Sequence, residues 1–202
     1  MVVLVADLDI EETISTLLKR TQSLGIRTIR SRILRHPQRD PGCLNGAAAI
    51  LRPYCQSYLR ALVVFDRDGC GHSSSSREEI EREVETALTR NGWNASDVAA
   101  IVIAPELEAW LWSTSPVVDE SLGWSGRLPS LRDWLVAEGM LASRNEKPAD
   151  PNSAYRKALR QVGKRHSAAL FAGIAQKVST KGCRDRAFRK LVHTLQEWFP
   201  PT

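Results

Sequence analysis

The run Ala61-Leu-Val-Val-Phe-Asp66-Arg-Asp68-Gly69 decides how this chain folds. Its apolar stretch stops abruptly at two carboxylates one residue apart, and Gly69, Gly71 and the serines 73–76 follow. A short continuous apolar run bounded by turn formers reads as a parallel strand covered on both faces. Ligands in open α/β sheets bind at the carboxyl ends of such strands, which is where Asp66 and Asp68 stand. Two neighbouring carboxylates repel unless a proton or cation neutralises them, and hard oxygen donors of this kind suit Mg²⁺ or Mn²⁺. The same Asp-x-Asp-Gly spelling is also ordinary turn chemistry, because Asp bonds nearby backbone and Gly supplies positive φ.

A second stretch repeats the pattern. Val98-Ala-Ala-Ile-Val-Ile-Ala-Pro105-Glu106-Leu-Glu108-Ala-Trp110-Leu-Trp112 is again an apolar run that ends at a breaker followed by carboxylates. In a doubly wound sheet both strand ends open onto one crevice, so Glu108 joins Asp66 and Asp68 as a metal-site candidate.

Working outward, the chain alternates strand and helix patterns. Val2–Ala6 reads as a strand and Ile10–Leu24 as a helix closed by Gly25; Ile26–Leu34 reads as a half-buried strand, and His36–Gly42 as a loop. Leu44–Leu59 has a helical period, Ser76-Arg-Glu-Glu79 spells a capping box opening a helix from Arg77 to Arg90, and Val98–Ile103 is the fourth strand. Alternation with connections this short predicts an α/β fold: a mainly parallel sheet in a Rossmann-like three-layer domain over residues 1–115. Beyond it, Leu131–Glu138, Ser153–Val162, Ser167–Val178 and Arg184–Trp198 are helical in period, so residues 116–202 form a helical extension.

The 202 residues carry a formal net charge of +5, and 43% are hydrophobic, enough for a substantial core. The positive charge is concentrated between Arg27 and Arg39 and again from Arg156 to Lys190, including Lys181, whereas residues 78–120 are mainly acidic. Phosphate contacts need clustered Arg and Lys, which makes Arg30, Arg32, Lys177, Arg184 and Arg189 candidate contacts to DNA or RNA; a solvated helix face would have the same composition. The four cysteines lack Cys-x-x-Cys spacing and read as free thiols. No window matches a membrane span, and the first residues lack a basic leader with a cleavage site, so a cytoplasmic protein is expected. His36, His72, His166 and His193 have no metal-ligand spacing, although His72 lies four residues beyond Asp68.

These residues resemble a known family. An N-terminal strand and helix, followed later by a strand ending in Asp-x-Asp, are similar to the TOPRIM domain of topoisomerases, primases, recombination proteins and overcoming-lysogenization-defect nucleases. Pro105-x-x-Glu108-x-Trp110 resembles the Pro-x-x-Glu-x-Trp-Leu segment of TOPRIM-like proteins from bacterial anti-phage defence loci, among them a restriction-linked anticodon-nuclease accessory type and a related uncharacterised family. Arg186-Ala-Phe188-Arg189-Lys-Leu191 resembles their C-terminal Ser/Ala-Phe-Arg-x-Leu element. The resemblance implies a TOPRIM-type domain with a Mg²⁺ or Mn²⁺ site and phosphodiester cleavage. It also implies other defence-system subunits as partners, as in a methylation-associated system.

One departure stands against these matches. TOPRIM enzymes place a general acid/base glutamate at the end of the first strand, and Ala6 occupies that position, with Asp7 and Asp9 beside it. Asp7 or Asp9, both at the carboxyl end of the first strand, would supply the missing carboxylate, with Asp7 and Glu108 as the catalytic candidates; the other reading of both aspartates is helix capping, Asp9 before Ile10-Glu11-Glu12. Asp66 and Asp68 would hold the ion, which lowers the pKa of water for in-line attack. Two alternatives follow from the same residues. One is a catalytically degenerate subunit that binds nucleic acid or a partner. The other is a haloacid-dehalogenase type phosphatase, whose opening motif Phe65-Asp66-Arg67-Asp68-Gly69 resembles, with Cys70 where that family has Thr.

Overall fold

The computed structural model describes residues 1–72, 74–113, 115–180 and 183–201. Ser73, Lys181 of the basic cluster and Gly182, expected to separate two helices, lie outside the described residues. The order is β1 (Val2–Val5), α1 (Leu8–Lys19), α2 (Thr21–Leu24), β2 (Arg32–Arg35), α3 (Arg39–Leu51), β3 (Ala61–Asp66), α4 (Arg77–Arg90) and β4 (Val98–Ile103). Six α-helices follow among the described residues: α5 (Glu108–Leu111), α6 (Pro116–Leu122), α7 (Leu131–Ala137), α8 (Pro151–Val162), α9 (Ala168–Lys177) and α10 (Arg186–Trp198).

All strand pairs are parallel and the sheet order is β2-β1-β3-β4, the α/β architecture that the alternating pattern predicts. The strands build left from β1 to β2, then right through β3 to β4. Right-handed crossovers therefore set α1 on one face of the sheet and α3 and α4 on the other. The packing follows: α1 lies against β1 and β2 and is covered in turn by α9, while α3 and α4 sit side by side over β1, β3 and β4. With both faces covered, β1 and β4 have every residue buried and β3 all but Asp66. The strand order reverses between β1 and β3, so the carboxyl ends of these two strands flank an opening at the switch point.

Several boundaries move for local reasons. The second strand is Arg32–Arg35 instead of Ile26–Leu34, because its partner β1 offers only Val2–Val5 for pairing, in register from Val2 opposite Arg32. The N-cap of α1 is Asp7, which accepts a hydrogen bond from the Ile10 amide at 3.0 Å, and not Asp9. The third helix starts at Arg39, earlier than the expected Leu44. Gly42 and Gly46 do not break it; a Cβ on Gly42 would stand 1.9 Å from Nδ1 of His36, so the glycines make room for that buried ring. It stops at Leu51 and passes into one 3₁₀ turn holding Pro53, well short of Leu59. The Ser76–Glu79 capping box is present as expected, with both reciprocal bonds. Helix α6 was not anticipated, although Ser115, Pro116 and the left-handed Gly123 are ordinary start and stop signals.

The outer edge of β4 is closed by side chains. Amides of Val102 and Ala100 donate to Glu81 at 3.2 Å and Glu85 at 3.0 Å, both from α4, and Lys190 of α10 bridges the two carboxylates at 3.1 and 2.8 Å. An exposed row of unpaired strand amides is thereby avoided. Arg186 pairs with Glu78 on the same pair of helices. Part of the charge asymmetry in the sequence is thus internal, with the basic α10 facing the acidic α4. Among the described residues, no helix is long and apolar enough to cross a membrane.

Candidate active site

At the carboxyl ends of the strands lies an open cleft of about 1110 Å³. Its floor and walls come from the residues just after each strand: Asp7 and Asp9 after β1, His36, Arg39 and Asp40 after β2, Asp66 at the end of β3, Glu106 and Glu108 after β4. Helix α8 adds Asn152 and Arg156, and His166 comes from the turn before α9.

Asp66 is the most constrained group. Its amide donates to Oδ1 of Asp40 at 2.8 Å, while its own Oδ1 is buried with no hydrogen-bond partner among the described residues. Burial, and then the charge of Asp40, drive its pKa well above the usual carboxylate range; Glu108 and Asp7 push the same way, against one backbone hydrogen bond at Leu107. Asp40 is also raised, chiefly by burial. It reaches Asp66 because residue 69 is glycine: a Cβ there would stand 2.6 Å from Oδ2 of Asp40. Gly69 thus serves close approach, whereas the positive φ belongs to Gly71.

Asp68 goes elsewhere. Its amide donates to the Pro105 carbonyl at 3.1 Å, and its side chain, 57% exposed, turns beside Arg67 outside the cleft lining. Its charge helps to raise the pKa of Glu106. The Asp-x-Asp motif therefore sends one carboxylate into the cleft, and Asp40 supplies the neighbour expected from Asp68. A nucleophile-and-acid pair of the haloacid-dehalogenase kind would need both aspartates on the floor.

Glu108, first residue of α5, is 7% exposed and accepts a hydrogen bond from Asn152 Nδ2 at 2.7 Å. Burial, aided by the charges of Glu106 and Asp9, raises its pKa to about 7. Glu106 is raised mainly by burial and accepts from the Asn152 amide at 3.1 Å. Asp7 lines the cleft while spending one oxygen on the α1 cap. Asp9, freed from capping, meets Nε2 of His166 at 3.2 Å, and Nδ1 of that ring lies 3.2 Å from the hydroxyl of the buried Tyr155. Burial raises Asp9 in spite of His166. Arg39 and Arg156 both line the cleft, and Arg39 holds a left-handed φ of 51°, rare for a residue with a side chain.

The sequence-predicted set divides. Asp7, Asp66 and Glu108 share the cleft; Asp68 does not. Arg30 and Arg32 lie at the opposite, amino-terminal edge of the sheet, where the Arg32 amide donates to the Met1 carbonyl and the Arg32 guanidinium stacks 5.3 Å over Tyr54. Lys177 pairs with Glu120 at 3.4 Å, and Arg184 and Arg189 are exposed outside the cleft lining. His72 faces Glu83 at 3.9 Å instead of the crevice. Asp40, Glu106, Asn152, Arg156 and His166 were missed. Asp40 and Glu106 were findable by reading the first residues after every strand, but nothing local marks Asn152, Arg156 or His166.

The two motif pieces of the C-terminal half meet physically. Trp110 Nε1 donates to Asp185, the cap of α10, at 3.0 Å, and its ring packs edge-on against Phe188 at 5.3 Å. They fasten α5, and with it Glu108, to α10.

Among the described residues, no three His, Cys, Asp or Glu side chains already converge as a metal-ligand set. Asp66 Oδ1, buried beside Asp40 and without a partner among the described residues, is nevertheless a hard oxygen donor of the type that fits Mg²⁺ or Mn²⁺. No protein family, curated protein or solved structure matches the chain.

Proposed function

We propose that this cleft hydrolyses phosphodiester bonds in nucleic acid with the help of Mg²⁺ or Mn²⁺. The observation that carries the reading is Asp66: a buried carboxylate oxygen without a partner, among repelling carboxylates, at the switch point of a parallel sheet. Asp66 and Asp40 would hold the ion, with Asp7 on the adjoining wall. The ion would offset the carboxylate repulsion and polarise a phosphoryl oxygen. Glu108 is the proton carrier: a group with a pKa of about 7 both accepts and releases protons near neutrality. Asn152 fixes its orientation, and Arg39 and Arg156, which line the same cleft, bind phosphate oxygens. The similarity of the Asp-x-Asp and Pro-x-x-Glu-x-Trp segments to TOPRIM-like proteins supports a role in anti-phage defence alongside other subunits.

The test follows thermal unfolding with millimolar Mn²⁺, together with Mn²⁺-dependent cleavage of a fluorescent oligonucleotide. An ion bound at a hundredfold its Kd stabilises by about 2.7 kcal/mol. Stabilisation and cleavage are expected for the wild type and Asp68→Asn, and both are expected to be lost in Asp66→Asn. Unchanged stability and no cleavage in the wild type would refute the reading. A second reading, a binding subunit without catalysis, is favoured by Ala6 and by the unconverged carboxylates. Ala6 lines the cleft, and a gain of cleavage in Ala6→Glu would support that reading.

A further inference from the structure

We infer that α8 is the track along which a nucleic-acid strand leaves the cleft. This rests on reading the cleft as a site for nucleic-acid phosphate, and it names the substrate as an extended polyanion instead of a small phosphate ester. The amino-terminal end of α8 is tied to the acidic floor by Asn152, whose amide and side chain bond Glu106 and Glu108. Residues four apart share a helix face, so Arg156 and Arg160 continue the line that Asn152 begins. Arg156 lines the cleft with Nε donating to Asn152 Oδ1, and its remaining guanidinium nitrogens, with no hydrogen-bond partner among the described residues, are left to bind phosphate. Arg160 is exposed one turn further out. Gly163, left-handed at φ 71°, ends the helix, and Arg165 stands exposed two residues beyond it.

The partnering of these cations separates them from an ordinary solvated face. Among the described residues, neither Arg160 nor Arg165 has a carboxylate within 4.0 Å, whereas Lys157 on another side of α8 is held by Glu138 at 2.6 Å. Lys164 is likewise occupied, donating to the Ser121 carbonyl at 3.0 Å. Four residues of helix advance about 6 Å, roughly two phosphate steps at the axial spacing of about 3.4 Å along one strand of a duplex. Arg156, Arg160 and Arg165 thus meet phosphates spaced along one strand, and a small diester would reach only the first.

The test measures binding of a fluorescein-labelled single-stranded oligonucleotide by anisotropy across a salt series, with EDTA present so that cleavage plays no part. Each phosphate contact on a single strand contributes about 0.7 to the slope of log K against log salt. Arg160→Ala/Arg165→Ala is expected to lower the slope by about 1.4 and to weaken binding at low salt, with recovery in Arg160→Lys/Arg165→Lys. Lys157→Ala, from the same helix, is expected to leave the slope unchanged. Because catalysis is absent from the measurement, a failure of the cleavage reading leaves this result standing. The inference is overturned if the alanine pair keeps the wild-type slope, or if the loss occurs instead in Arg30→Ala/Arg32→Ala at the far edge of the sheet.

Discussion

Glu108→Gln should stabilise the protein in proportion to pH. Glu108 is buried and its pKa rises from 4.5 to about 7 on folding. Between those values the folded chain keeps a proton that the unfolded chain has released, so wild-type stability falls with pH. The fall begins near pH 4.5 and is complete above pH 7. A shift of that size corresponds to about 3 kcal/mol at about 1.4 kcal/mol per pH unit. Glutamine keeps the carbonyl that accepts from Asn152 and never ionises, so wild type and variant should unfold together near pH 4.5 and separate by about 3 kcal/mol at pH 8. In a domain of this size that is a gain of roughly 6–12 °C in Tm. Urea midpoints for both proteins across this pH range, in EDTA, make the measurement. A difference that stays flat with pH would refute the desolvated Glu108 and remove the basis for calling it the proton carrier.

Two further predictions concern the scaffold. Gly42→Ala drives a Cβ to 1.9 Å from Nδ1 of His36 and should cost about 1–3 kcal/mol or more, most of it recovered in Gly42→Ala/His36→Ala; urea midpoints that do not move would show that the ring shifts freely. Glu81→Ala leaves the buried Val102 amide without its acceptor, takes from Lys190 one of its two carboxylates, and should cost about 1–3 kcal/mol, more than the same change at the half-buried Glu85; equal losses would place the edge seal in packing instead of in these bonds.

Secondary structure and its order were legible because they are written in local patterns. The apolar runs of β1, β3 and β4 need no partner to be recognised, and neither do the Ser76–Glu79 box or the Gly25 stop. From the alternation alone came the parallel sheet, and from that the placement of Asp7, Asp66 and Glu108 at one end of it. Orientation was not legible. Residues 66 and 68 are equivalent in the sequence, and only the turn held by the Pro105 carbonyl and the space left by Gly69 send one inward beside Asp40 and the other to solvent. The short β1 truncated β2, and the basic C-terminal run split between partners on α4 and the open line of α8. Sequence by itself determined most of the elements and their order, α6 excepted, since helix and strand periods are properties of a few consecutive residues. Tertiary structure alone decided which carboxylates meet and which cations are left free, because Asp40, Asn152 and His166 reach the cleft from segments whose distance in the chain carries no trace of their distance in space.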